Sequence, residues 1–347
     1  TRLDWKKVCP IAKEKEVYVI GNPPYYGSRK QNQEQKDDLQ FVFQRDYKSL
    51  DYISIWFYKG ARYIGSNNAQ MALVSTNSVC QGLLVGLIWK RVLSSSIEIS
   101  FAYQSFKWIN NAKGNAGVTV IIVGLRNLST KQKYLFEDGL QKEVKNINPY
   151  LIEYNTNVIV AKREKPLSNF PKMNFGNMAA DDGNLLFTEQ EKNDFILQEP
   201  RARKYIKEII AAQEFLNGKR RFCLWLEGVD EREYSKLSLV KERVDKNYKV
   251  RLNSSRPKFA KIPHIFAQIT QPKEKSFIAI PRVSSEKRAY IPIGSFDSNY
   301  KAIDSTLIIA TDDPWLFAVV TSRIHMVWVR AVGGKLKTDY RYSSTLC

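Results

Sequence analysis

Two consecutive prolines, Pro23 and Pro24, follow Asn22 directly behind the apolar run Val17-Tyr18-Val19-Ile20-Gly21. Proline has no N–H to give to a sheet ladder, so a strand over these residues must stop and the chain must turn out of the sheet. In α/β folds the carboxyl end of a strand is where ligands usually sit. Asn22-Pro23-Pro24-Tyr25 is therefore either a plain strand-ending turn or the rim of a site, and the tetrapeptide alone leaves both open.

The residues that follow narrow the fold. Leu39, Phe43, Tyr47, Leu50, Ile53, Phe57, Ala61 and Ile64 recur at steps of three and four, which predicts one long amphipathic helix. Met71–Thr76 reads as a buried strand, Leu83–Leu93 as a second helix, and Ile97–Gln104 and Val118–Leu125 as two further strands. That order gives an α/β class, read as the second half of a doubly wound sheet. No Gly-rich turn follows a strand, so the usual cradle for a nucleotide-like cofactor is absent from these residues.

Polarity rises over residues 126–150, which predicts a linker and the start of another module. Thr188 and Glu191 form a capping-box pair, so a helix is expected to start there and to stop before Pro200. A second helix is expected through Arg201, Arg203, Lys204 and Lys207, and Asn217-Gly218 signals a hairpin. Phe277–Pro281, Tyr290–Ile293 and Thr306–Ala310 read as short strands, and Trp315–Val332 as an apolar helix. The division expected is 1–130 for the α/β part and 131–347 for a mixed α+β part.

Charge bears on the partner. Fifty-four Lys and Arg oppose 35 Asp and Glu, giving a net charge of +19 and a pI near 9.6, with both halves basic. Such a surplus favours a polyanion, nucleic acid or an anionic membrane. The longest apolar runs have strand length rather than bilayer length, so no membrane association is expected and the protein is read as cytoplasmic. Cys9, Cys80, Cys223 and Cys347 lie far apart and only His264 and His325 accompany them, so neither a metal site nor a Cys/His catalytic pair is expected. The chain opens at Thr1 and is read as a processed chain or a piece of a longer one.

NPPY behind a strand resembles the catalytic motif of amino-methyltransferases that use S-adenosylmethionine. An exocyclic adenine amine is a poor nucleophile because its lone pair is delocalised into the ring. Acceptors on both amine hydrogens, here the Asn22 side-chain oxygen and the Pro23 carbonyl, pull the nitrogen toward tetrahedral geometry and expose that pair. Pro24 belongs, with Asn22, Pro23 and Tyr25, to the catalytic positions that this resemblance implies. Tyr25 offers a face for a base taken out of the duplex, and Phe106 or Trp108 offers a second; ordinary core packing is the competing account of both.

The resemblance becomes close with the segments GNPPYYGS, FKWINNAKGNAGVTVIIVGL, NINPYLI, FPKMNFGNMAADDG, FCLWLEG, IPRVSSEKRAYIPIG and LKTDYRYSSTL. They occur in the order seen in MmeI-like type II restriction–modification enzymes, a family that joins an endonuclease, a helical connector, an adenine-N6 methyltransferase and a target-recognition domain in one chain. The resemblance implies the second half of a class I methyltransferase domain, then a recognition domain truncated at its C-terminal end. It also implies double-stranded DNA as partner, S-adenosylmethionine as donor in the complete enzyme, and Mg only for a nuclease outside these residues. The present stretch is expected to be inactive by itself.

Within the recognition part the resemblance points to Glu286 and Arg288 as readers of base edges. Arg suits guanine and Glu suits the cytosine amine, while a surface ion pair is the alternative. Arg251, Arg256 and Lys258 are expected on backbone phosphates, with a solvated loop as the rival; Arg201, Arg203, Lys204 and Lys207 are weaker candidates. A protein-glutamine methyltransferase also uses NPPY, and a non-catalytic DNA-specificity module is a further alternative. The long, basic, aromatic-rich remainder after Tyr25 favours DNA over a protein substrate.

Overall fold

The computed structural model describes residues 2–12, 15–65, 68–93, 96–107, 119–336 and 338–347. The chain forms two compact units, Thr1–Arg163 with Arg330–Thr338 and Leu346, and Glu164–Val329 with Asp339–Thr345 and Cys347. Among the described residues no single helix is long and apolar enough to cross a membrane.

The first unit is built on a six-stranded sheet of β1 (Val17–Gly21), β2 (Ala69–Thr76), β3 (Ile97–Lys107), β4 (Thr119–Asn127), β5 (Lys133–Glu137) and β6 (Leu140–Val144), in the order β1-β2-β4-β3-β5-β6. β1 and β2 run parallel, whereas β4 is antiparallel to both its neighbours. Helices Ser54–Ile64 and Gly82–Val92 pack their apolar faces on this sheet, with Phe57 and Trp89 fully buried at a ring distance of 5.6 Å. The Trp89 indole also donates to the Val79 carbonyl (2.7 Å), which pins the turn after β2.

The continuous helix expected over 39–64 is two helices, Gln33–Phe43 and Ser54–Ile64. Gln44 and Asp46 take left-handed backbone angles between them, so the apolar period carries on in space while the backbone ladder breaks. β5 and β6 lie in the first sheet, so the first unit continues past the division expected at 130/131. A buried carboxylate fixes that register: Glu98 receives Arg126 at 2.8 Å and Lys133 at 2.7 Å, joining β3, β4 and β5.

The second unit contains two four-stranded sheets. One has β8 (Leu186–Thr188), β9 (Ile206–Ile210), β10 (Arg221–Leu224) and β14 (Lys301–Ala302) in the order β14-β9-β10-β8. The other has β7 (Met173–Phe175), β11 (Phe277–Pro281), β13 (Gly294–Phe296) and β15 (Thr306–Ile309) in the order β13-β11-β15-β7; β12 (Val283–Ser284) lies outside both. Helix Glu189–Gln198 starts on the expected Thr188/Glu191 capping box and ends before Pro200. Where a second helix was expected, Pro200–Tyr205 is a short 3-10 turn and Ile206–Ile210 is β9. Gly218 closes the short helix Ala212–Asn217 in a left-handed conformation rather than turning a hairpin. Tyr290–Ile293 is irregular, its strand beginning at Gly294, and the apolar stretch from Trp315 breaks at Ser322 into two helices.

At Gly176 two backbone segments meet. A Cβ there would lie 2.3 Å from the Ile303 carbonyl oxygen, and backbone cannot swing aside. Gly176→Ala is therefore expected to lower the stability of this unit by about 1–3 kcal/mol or more, read as a drop in its thermal midpoint.

Candidate functional site

The carboxyl edge of the first sheet collects the residues that the sequence singled out. Gly21, the last residue of β1, pairs with Leu73, so the Asn22–Tyr25 loop leaves beside the end of β2. Thr76 at that end pairs with Val120, and Val120 pairs with Phe106 near the end of β3. Strand pairing thus brings the tetrapeptide loop, the turn Asn77–Cys80 and the Phe106 ring to one edge of one sheet.

Asn22 is exposed, and its side chain makes no hydrogen bond among the described residues. Tyr25 is half-buried, resting on the core of the first unit. Phe106 is 37% exposed although it is a large aromatic on a strand, whereas Trp108 lies outside the described residues. An amide acceptor free of internal bonds, a half-seated aromatic and an exposed aromatic on one edge can hold an amine and stack a flat ring.

Two polar residues that sequence reasoning did not single out sit beneath this loop. Gln31 and Asp51 are 7% and 6% exposed. The Gln31 amide donates to the carbonyls of Tyr26 (2.8 Å) and Leu50 (2.9 Å). Burial pushes the Asp51 carboxyl above its ordinary range, against the pull of the Ile53, Tyr26 and Tyr52 amides and the Ser78 hydroxyl. Neither has a local sequence signature, because their partners come from distant turns.

In the second unit Glu286 is exposed and Arg288 half-buried, on a turn where the Arg288 amide donates to the Ser285 carbonyl at 3.1 Å. Neither side chain forms an ion pair among the described residues. Arg256 and Lys258 are exposed too: the first reaches the Met178 sulfur at 3.9 Å, and the second lies over the Phe259 ring at 5.3 Å. Arg251 does not fit the expected phosphate contact. It is 1% exposed and donates to the carbonyls of Ala179, Ala180, Phe259, Ile262 and Ile265, so no N–H is left to offer a phosphate. Burial lowers its pKa, opposed by the charge of Asp181. Arg203 and Lys207, expected on a helix, line an open cleft of about 810 Å³ together with Lys192, Phe222 and Tyr300.

Among the described residues no group of three His, Cys, Asp or Glu could hold a metal ion. The four cysteines are free, with Cys80 and Cys223 buried in the two cores.

The sequence profile of the MmeI DNA-methyltransferase domain matches residues 1–137, and that of the MmeI target recognition domain matches residues 154–347. A curated relative, DNA methyltransferase A of Bacillus subtilis (strain 168), is 46% identical over 355 aligned positions, covering 100% of this chain and 40% of the relative. The solved structure of the type IIL restriction–modification enzyme MmeI in complex with DNA superposes with a TM-score of 0.90 at 40% identity. That match covers 99% of this chain and 47% of that one. The present chain thus spans less than half the length of either protein. Matched in two successive domains and related along its whole length, the chain belongs to the MmeI family and carries that family's DNA-methyltransferase and target recognition domains.

Proposed function

We propose that this chain is the catalytic-motif half and recognition part of a sequence-specific DNA adenine-N6 methyltransferase, within a single-chain restriction–modification protein. The observation that carries the reading is the exposed Asn22, free of hydrogen bonds among the described residues, at the carboxyl edge of the sheet beside Tyr25. Asn22 Oδ1 and the Pro23 carbonyl accept the two amine hydrogens of a flipped adenine, which localises the nitrogen lone pair. These acceptors stabilise positive charge as it develops on nitrogen, so no strong base is needed. Tyr25 and Phe106 stack on the base, each contact contributing roughly 1–3 kcal/mol; Trp108 keeps the same proposed role. S-adenosylmethionine supplies the methyl group when bound. No Gly-rich turn follows a strand here, so no residue of this chain is assigned to its cradle. A nuclease and its Mg belong, in this proposal, to other parts of the protein. The test is incubation of the full-length protein with duplex DNA and labelled donor: label on adenine N6 supports the reading, and label on another base or on protein overturns it.

The proposed role of the second unit is to choose the DNA site. Glu286 and Arg288 stand on an accessible turn without ion-pair partners among the described residues, which suits readers of base edges. Exchanging both for other polar residues is expected to change the base accepted at one position of the site, each good contact discriminating by about 1–3 kcal/mol. Mapping methylated sites checks this, and an unchanged motif with weaker binding reassigns the pair to phosphate contact.

Arg256 and Lys258 are proposed as phosphate contacts. Each neutralised phosphate adds about 0.9 to the slope of log affinity against log salt, so Arg256→Ala with Lys258→Ala is expected to flatten that slope by close to two. A salt titration of duplex binding measures it; an unchanged slope removes both from the interface.

A further inference from the structure

The loop that carries Asn22 and Tyr25 is held from beneath by groups drawn from three separate turns. The Tyr26 carbonyl accepts from the Gln31 side-chain amide (2.8 Å) and from the Tyr52 backbone (3.0 Å). The same Gln31 amide nitrogen donates its second hydrogen to the Leu50 carbonyl at 2.9 Å. Both partners are carbonyls, so the orientation of this amide is unambiguous. At the other end of the same residue the Tyr26 N–H faces the Asp51 carboxylate, which accepts the Ile53 amide at 3.4 Å and which the Tyr52 amide and the Ser78 hydroxyl also approach. Ser78 in turn meets Thr76 at 2.7 Å on the turn that Trp89 pins through Val79. Tyr26 is thus held at its C=O by two donors and faces a buried carboxylate at its N–H.

Burying a carboxylate and a primary amide costs free energy that an apolar pair of the same size would not incur. Here that cost goes into fixing Tyr26, directly after the Asn22–Tyr25 loop proposed to hold an amine. We infer that Gln31 and Asp51 are positioning residues for the methyl transfer: they clamp Tyr26 and thereby set where Asn22 and Tyr25 meet the flipped base. The inference rests on the function proposed above. Transfer to nitrogen requires acceptors within hydrogen-bond reach of both amine hydrogens, and a displacement of about 1 Å can cost on the order of a hundredfold in rate.

The test uses the full-length protein with Gln31→Glu, Asp51→Ala and Asp51→Asn. Gln31→Glu keeps the size of the side chain but replaces a double donor with a group that the two carbonyls repel. Single-turnover methylation of a site-containing duplex is expected to slow about 10- to 100-fold for Gln31→Glu and Asp51→Ala. DNA affinity is expected to stay within about threefold, a split that separates positioning from binding. Asp51→Asn keeps an acceptor oxygen for the Tyr26 N–H and is expected to recover most of the rate. Hydrogen exchange of the amides from 22 to 30 is expected to quicken in the slow variants while the rest of the sheet stays protected. Folded Gln31→Glu and Asp51→Ala proteins with parental rate and parental exchange overturn the clamp, as does an Asp51→Asn protein no faster than Asp51→Ala. If the parent methylates no adenine, exchange alone decides: faster exchange keeps the clamp while the proposed function falls, and unchanged exchange removes the clamp.

Discussion

Asn22→Ala in the full-length protein is expected to lower adenine methylation by at least about a hundredfold to a thousandfold, the range found when one preorganised polar contact to developing charge is removed. The lost group acts only where charge develops. In the ground state the adenine amine is nearly planar and weakly basic, and one amide oxygen adds little to its binding. As the methyl group arrives, the nitrogen becomes tetrahedral and positive, and the same oxygen then faces a charged N–H donor. The deficit should therefore appear in the rate of the chemical step, with DNA affinity close to the parental value. Stability should hold as well, because Asn22 is exposed and makes no hydrogen bond among the described residues. Three measurements decide: single-turnover methyl transfer, duplex binding and the thermal midpoint. A protein that still methylates at a comparable rate removes Asn22 from the chemistry, and one that melts early shows a structural role.

The first sheet was largely legible because its strands are long, apolar and punctuated. The Pro23-Pro24 stop, the Met71–Thr76 run and the Gly82–Val92 helix each carry a local signal that tertiary contacts reinforce. The break at Gln44–Asp46 was not legible, since the apolar period runs through it unchanged. The second unit gave less away: strands such as β7, β13 and β14 have two or three residues, too few to display a period. The Asn22–Tyr25 loop could be placed from sequence because chemistry, not periodicity, marks it. Gln31 and Asp51 could not, because in sequence a glutamine in a polar stretch and an aspartate between apolar-stripe residues both look like solvent-facing residues. Arg251 failed in the opposite direction. Its neighbours in RLNSSRPK suggested an exposed basic loop, yet it sits in the last turn of helix Ser238–Leu252 on the inward face.

That inward placement sets a second large expectation, a loss of stability on Arg251→Ala with no change in salt dependence. The guanidinium supplies donors to five carbonyls drawn from the segment Ala179–Ala180 and from the turn Phe259–Ile265. Ala180 and Asp182 hold left-handed backbone angles, so this segment depends on outside contacts to keep its course. Asp181 is itself buried and accepts the Leu185 amide at 2.7 Å; its charge is the one that opposes the effect of burial on Arg251. Removing the cation leaves several buried acceptors unpaired and takes one of the nearby positive charges from the buried Asp181, a loss of about 3–5 kcal/mol. For a unit of this size that corresponds to a thermal midpoint lower by roughly 6–20 °C. Arg251→Lys should recover little, because an ammonium has three donors and lacks the planar fork that reaches both segments at once. The exposed Arg256 is the control in the same molecule: Arg256→Ala should leave the midpoint alone and flatten the salt slope by about 0.9. An Arg251→Ala protein with a parental midpoint and a flattened slope would return that residue to the DNA interface; early melting with a parental slope makes it the tie between two loops of the recognition domain.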